Sequence, residues 1–283
     1  MRIVQRINHN AVLCIDGDGR EVIALGKGVG YPQGTDELAP AQLSRTFYGV
    51  DARYLPLLNE IDPAVFEFSS QLADAARGLV SYELGANLAF TLADHIAFII
   101  QRVQDNMAIR MPFAHDIRYS YPMEYKLGKL AIERMRELFG IPVPESEAAG
   151  IAMSIISSQV VPSSKAKSVS ARRNDRVLDQ CTRIVEQEMR VRIDRESFNF
   201  ARFATHLQYL FERVSGDAAP LEGNEALVKS MREEYPRVFA CAEDVGRAIT
   251  TSYGGELAED ELLYLSLHIN RLCEKVEAPG DGR

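Results

Sequence analysis

The sequence predicts an α+β multidomain protein, with a small antiparallel β-sheet domain at the N-terminus followed by two homologous all-α helical-bundle domains. Three observations predict it. Short β-branched runs around a glycine-rich turn fill the first 25 residues, the chain after about Leu55 runs at helical period, and the helical part matches itself. At 283 residues and 46% hydrophobic, the chain is long enough for two or three domains, each with its own core.

Ile3, Val4 and Ile7, then Val12, Leu13 and Ile15, then Val22, Ile23 and Leu25 mark three strands. Asp16-Gly17-Asp18-Gly19 between the second and third runs is a hairpin signal, because glycine supplies the positive φ that tight turns require. A fourth strand is expected near Arg45 to Tyr48. A sheet this small buries little apolar surface, so it is expected to dimerise or to dock on another element.

Further on, Leu88, Leu92, Ile96, Ile99 and Ile100 form one helical stripe, and Leu262, Leu265, Ile269 and Leu272 another. Glu145 and Glu147, and later Glu259, Asp260 and Glu261, place acidic residues at helix starts, where they complement the dipole. The Pro/Ser/Lys-rich stretch from Pro162 to Ser170 is read as a linker.

The run Asp94 to Val103 matches Thr205 to Val214 at a shift of 111 positions, with the histidine (His95, His206), the apolar face and the Arg-Val end all recurring. Tyr121-Pro122 matches Tyr235-Pro236, and Glu147 to Ile155 matches Glu261 to Ile269, at a shift of 114. Two homologous helical domains therefore occupy about 60–165 and about 172–277, after an N-terminal domain over 1–56. The second match sets Ser154 opposite His268, so three of four equivalent slots hold histidine. His9 and His115 fall outside the scheme.

Composition removes several function classes. With 32 basic against 40 acidic residues the net charge is −8, which argues against a generic nucleic-acid coat that relies on counterion release. The four cysteines, at 14, 181, 241 and 273, form no Cys-x-x-Cys pair, and neither a zinc ribbon nor a redox motif is expected. No apolar run approaches the roughly 20 residues of a membrane span, and Met1 to Val12 lacks the apolar core of a secretory signal. A cytoplasmic protein without membrane insertion is expected.

Imidazole supports several chemistries. Zinc binding requires three or four converging ligands, and acid/base catalysis a substrate motif; the sequence offers neither, so no metal, no cofactor and no enzymatic activity are expected. Phosphoryl acceptance requires only an exposed, neutral nitrogen that a donor protein can approach. A single histidine in an amphipathic helix is usually a satisfied core or boundary ring, but recurrence in a duplicated domain weakens that reading.

Taken together, Asn8-His9-Asn10, Gly26-Lys27-Gly28-Val29-Gly30-Tyr31, Asp94-His95, Thr205-His206-Leu207 and Tyr264 to Ile269 resemble the BglG/SacY family of bacterial transcriptional antiterminators. The resemblance implies a co-antiterminator RNA-binding domain over 1–56 and two phosphotransferase-system regulation domains after it. It implies a homodimer that binds a hairpin in the leader of a nascent mRNA and prevents a competing terminator from forming. On this resemblance Asn8 and Asn10 read bases, Gly26 and Gly28 permit close backbone approach, Lys27 contacts phosphate and Tyr31 offers a stacking face. Without it, the asparagines suit a turn and the glycines a bulge. The resemblance further implies that His95 receives phosphate from a sugar-specific enzyme II, and His206 and His268 from the phosphocarrier HPr.

Two departures stand out. Where many relatives carry lysine pairs the chain reads Pro32-Gln33-Gly34-Thr35-Asp36, and its first 35 residues carry a net charge of only +1. This leaves open an alternative, a phosphorylation-sensing interaction module whose sheet no longer binds RNA. Ser154 stands where relatives usually have histidine, and a hydroxyl cannot take phosphate by the same nitrogen chemistry. Mass spectrometry after incubation with phosphorylated carrier proteins is therefore expected to find His95 as the one labelled position of the first helical domain. An unmodified His95 beside labelled His206 and His268 would refute this.

Overall fold

The computed structural model describes residues 1–32, 36–105, 107, 114–160, 169–214 and 224–273. By contacts the chain forms two compact units, Met1–Ala108 with Asp116–Val160, and Ile109–His115 with Val161–Arg283. The stretch read as a linker lies outside the described residues up to 168, after which a helix begins.

The first unit opens with an antiparallel meander of β1 (Arg2–Asn8), β2 (Ala11–Ile15), β3 (Glu21–Leu25) and β4 (Arg45–Tyr48), ordered β1-β2-β3-β4. Strands occupy the three runs read from the sequence, and the fourth forms where it is expected. At the β2–β3 turn the Asp16 carboxylate accepts from the backbone N–H groups of Asp18 and Arg20, while Gly19 takes φ +81°. The Arg20 guanidinium closes the turn on Asp16 and Asp18. Alternation sends Ile3, Val12, Cys14, Val22 and Ala24 to one face, where they pack with Val29 and Leu38.

Phe47 on the opposite face meets Phe66 and Phe90 edge-on, with ring centroids 5.7 and 5.3 Å apart. Those rings belong to α2 (Pro63–Leu79) and α3 (Leu88–Gln104). Arg45, two residues before Phe47 on the same face of β4, binds Asp74 and Glu67 of α2. Docking on helices thus supplies the burial that four short strands lack, as their size requires. Between sheet and bundle lies one helical turn, α1 (Leu57–Glu60).

The first helical bundle continues through α4 (Ala114–Ser120), α5 (Pro122–Phe139) and α6 (Ala148–Ile156). In α3 the stripe Leu88, Leu92, Ile96 and Ile99 is fully buried. Gly128 of α5 is required by packing, since a Cβ there would overlap the Ala148 carbonyl at the start of α6. The second unit contains α7 (Val169–Met189), α8 (Phe198–Val214), α9 (Glu225–Glu234), α10 (Pro236–Tyr253) and α11 (Glu259–Cys273). The duplication is visible in helix lengths: α3 and α8 have 17 residues each, and α5 and α10 have 18 and begin at Pro122 and Pro236. Cys181 and Cys241 are core residues whose thiols burial pushes up to about 12, so they act as apolar filling rather than nucleophiles.

Glu147 and Glu261 do more than complement a helix dipole. Glu147 accepts from Arg102 of α3 at 2.8 Å with both side chains 1% exposed, and Glu261 pairs with Arg213 of α8 at 3.0 Å. The two pairs occupy equivalent places in the repeat. Burial pushes the Glu147 carboxyl above its usual range and the Arg102 guanidinium opposes that rise. Removing one partner of such a pair leaves a buried charge, so Glu147→Gln is expected to cost about 3–5 kcal/mol in urea unfolding of the full chain. The double variant Arg102→Met/Glu147→Leu is expected to recover most of that loss. A single variant within about 0.5 kcal/mol of the parent would show that the pair is dispensable.

Candidate RNA surface and histidine sites

Two separate sets of residues from the sequence reading come together. The first lies at one end of the sheet, where β1 turns into β2 through His9 and Asn10. Asn8 Oδ1 accepts from the Asn10 N–H at 2.9 Å, an Asx turn that fixes the bend. Its Nδ2 donates to the Leu58 carbonyl of α1 at 2.6 Å. Both ends of the Asn8 side chain are thus engaged within the fold. Asn10 is exposed, and its Oδ1 accepts from the Gly28 N–H at 2.9 Å, which leaves its Nδ2 as the end with no hydrogen bond among the described residues.

The loop after β3 lies directly on that turn. Gly26 N–H donates to the Asn10 carbonyl and Gly30 N–H to the His9 carbonyl, both at 3.0 Å. Gly30 is obligatory, because a Cβ would overlap the Asn8 carbonyl. Gly26 is buried and a Cβ on it would overlap the Gln42 carbonyl, so its close approach is to this chain's own backbone. Gly28 adopts φ +74°. Val29, 1% exposed, pins the loop into the sheet core, whereas Lys27 and Tyr31 face solvent. His9, which the sequence reading left aside, stacks on Tyr31 with ring centroids 4.6 Å apart and planes 10° apart. Only a bend reversing at Asn8 and a loop returning over it bring positions 9 and 31 together.

The second set lies in the helices. His95 sits half-buried on α3, while His206 of α8 and His268 of α11 stack face to face at 4.3 Å with planes 10° apart. Tyr264 meets both rings edge-on, at 4.5 and 4.8 Å. This differs from the exposed nitrogen expected of a phosphoryl acceptor: His206 is 8% exposed, and the Nε2 atoms of all three histidines are shielded from solvent. Packing of α8 against α11 buries those of His206 and His268, and burial holds the His206 imidazole neutral by drawing its pKa down to about 3. In the first bundle the slot matching His268 holds Ser154, whose Oγ donates to the Gly150 carbonyl at 3.1 Å, so no second ring faces His95 from there. Among the described residues no group of three or more His, Cys, Asp or Glu converges as a metal site.

A sheet with a glycine loop folded on its Asx turn, joined to duplicated bundles with histidines in matching slots, defines a class of regulator. The PRD domain family matches residues 78–158 and 179–272, and the CAT RNA binding domain family matches residues 1–52. The chain belongs to the family of proteins built from a CAT RNA binding domain and PRD domains. It is 25% identical over 280 residues to "Transcription antiterminator LicT" of Bacillus subtilis, covering 97% of this chain and 100% of the relative. It is 24% identical to "Beta-glucoside operon antiterminator" of Dickeya chrysanthemi, covering 98% of each. "GlcA/glcB genes antiterminator" of Staphylococcus carnosus is 25% identical, covering 97% of this chain and 96% of the relative. Of solved structures, the crystal structure of GlcT CAT-PRDI is 25% identical with a TM-score of 0.48, covering 56% of this chain and 98% of that one. No helix among the described residues is long and apolar enough to cross a membrane.

The buried imidazole has a thermodynamic signature. Between its depressed folded pKa and the unfolded value of about 6.5, only the unfolded chain binds the proton, so stability falls as pH drops through that window. From about pH 7 to about pH 5 the parent is expected to lose about 2 kcal/mol more than His206→Phe, measured by urea unfolding at each pH. Equal pH slopes in the two proteins would show that His206 is not held neutral.

Proposed function

We propose that this chain is a sugar-responsive transcriptional antiterminator of the cytoplasm. As a homodimer it binds a hairpin in the leader of a nascent mRNA through Asn10, Lys27, Gly28 and Tyr31, and so prevents the terminator from forming. Asn8 and Gly26 support that surface from beneath, by fixing the bend and by letting the loop lie close. Phosphorylation of His95 by a sugar-specific enzyme II, and of His206 and His268 by HPr, switches it. The observation that carries this reading is the order of the matches: a CAT RNA binding domain and then two PRD matches, in a chain that aligns along nearly its whole length with proteins named as antiterminators.

The histidine geometry fits a phosphate switch. The Nε2 nitrogens of the His206–His268 stack are shielded from solvent, and a phosphoryl group there adds bulk and negative charge to a packed aromatic cluster. Phosphorylation and the closed packing of α8 on α11 therefore exclude one another, which gives the modification a packed interface to bias. With Ser154 in the matching slot, the first bundle responds through His95 alone.

A gel-shift titration with hairpins from leaders of the operons adjoining this gene tests the reading. A shift is expected, and Asn10→Ala is expected to weaken it at least about tenfold with the fold unchanged by circular dichroism. No shift with any such hairpin, with or without aspartate at positions 206 and 268, would overturn RNA binding and favour the interaction-module alternative.

A further inference from the structure

We propose that His9 is an RNA-contacting residue: its ring extends the Tyr31 face into a two-ring platform on which an unpaired base of the bound hairpin stacks. The inference rests on the RNA-binding reading above and adds to it a residue and a mode of contact.

The geometry is that of an offset aromatic stack, with centroids 4.6 Å apart and planes 10° apart. It forms in the open, since His9 is exposed and Tyr31 is 52% exposed. Two exposed rings on separate segments of chain adopt such an arrangement only if their backbones are held, and here both are. The turn that carries His9 is fixed by the Asn8 side chain, and its carbonyl accepts from Gly30 N–H. The loop that carries Tyr31 is fixed by Asn10 Oδ1 on Gly28 N–H, by Tyr31 N–H on the Gly28 carbonyl at 3.1 Å, and by the buried Val29. A base that lands on the platform meets rings already in place, so little ordering entropy opposes binding.

Charge points the same way. The first 35 residues carry a net charge of only +1. An RNA surface with so little phosphate attraction needs another source of affinity, and base stacking on an aromatic face supplies one that depends little on salt. Stacking tolerates any base, so the platform contributes affinity while the Asn10 Nδ2 donor beside it contributes choice of base edge.

The test uses the full-length protein and a labelled leader-RNA hairpin from the adjoining operon, titrated from about 50 to about 200 mM salt. His9→Ala is expected to weaken binding about tenfold at every salt concentration without changing the salt slope, and His9→Phe is expected to stay within about threefold of the parent. With 2-aminopurine at the unpaired positions, the parent is expected to quench at least one on binding, and His9→Ala is expected to leave it bright. Parent-like affinity in His9→Ala would overturn the inference and leave the RNA reading standing. So would a loss accompanied by a salt slope lower by about one, which marks a phosphate contact instead. Failure of the parent itself to bind any leader hairpin would overturn both.

Discussion

The guanidinium of Arg102 meets the carboxylate of Glu147 where water is excluded, and Arg213 meets Glu261 in the same place of the second bundle. Each pair ties the helix carrying the first histidine slot to the start of the helix carrying the second: α3 to α6, and α8 to α11. An apolar contact tolerates sliding. A buried charge does not, because any displacement leaves a charge in a low-dielectric interior without its partner. The pairs therefore set the register in which His206 and His268 come face to face and in which Ser154 sits in the corresponding slot.

That fixed register gives the two bundles different chemistry on one scaffold. In the second, two imidazoles and Tyr264 form a packed aromatic cluster, and burial holds His206 neutral. In the first, the slot opposite holds a hydroxyl that bonds back to its own helix, and His95 is only half-buried. The second bundle thus fills its matching slot with an aromatic ring, the first with a hydroxyl. The duplication preserves the frame while the occupants of the slots diverge.

The proposed RNA surface is built by backbone fit more than by side-chain chemistry. Gly30 and Gly26 permit two close approaches, and Val29 pins the loop between them. Asn8 bonds to Asn10 on one side and to Leu58 of α1 on the other, so the turn under the surface is also tied to the segment that leads into the first bundle. Phe47 and Arg45 fasten the far edge of the sheet to α2 and α3. Sheet and first bundle therefore share apolar contacts, ion pairs and a hydrogen bond within one compact unit.

Much of this was legible in the residues. Strand periodicity, the Asp-Gly turn and the helical stripes are local signals, so β1 to β4 and the long helices lie where the pattern puts them. The repeat also aligned Arg102 with Arg213 and Glu147 with Glu261, but alignment says that positions correspond, not that they touch. Glutamates at helix starts look like dipole partners until the fold brings α3 across α6. The histidine slots were likewise legible as recurrences, while their burial was not, because exposure depends on which helix covers which face. His9 was legible only as the middle of the Asn8-His9-Asn10 string, with no role of its own: its partner is 22 positions away, and only the bend at Asn8 and the return of the glycine loop bring the rings together. The sequence by itself determined the elements, the duplication and the candidate residues, since these depend on period and identity along the chain. The tertiary structure alone decided which charges meet, which imidazoles are sealed from water and which rings stack, since contact and solvent exclusion are properties of surfaces that exist only once the chain has folded.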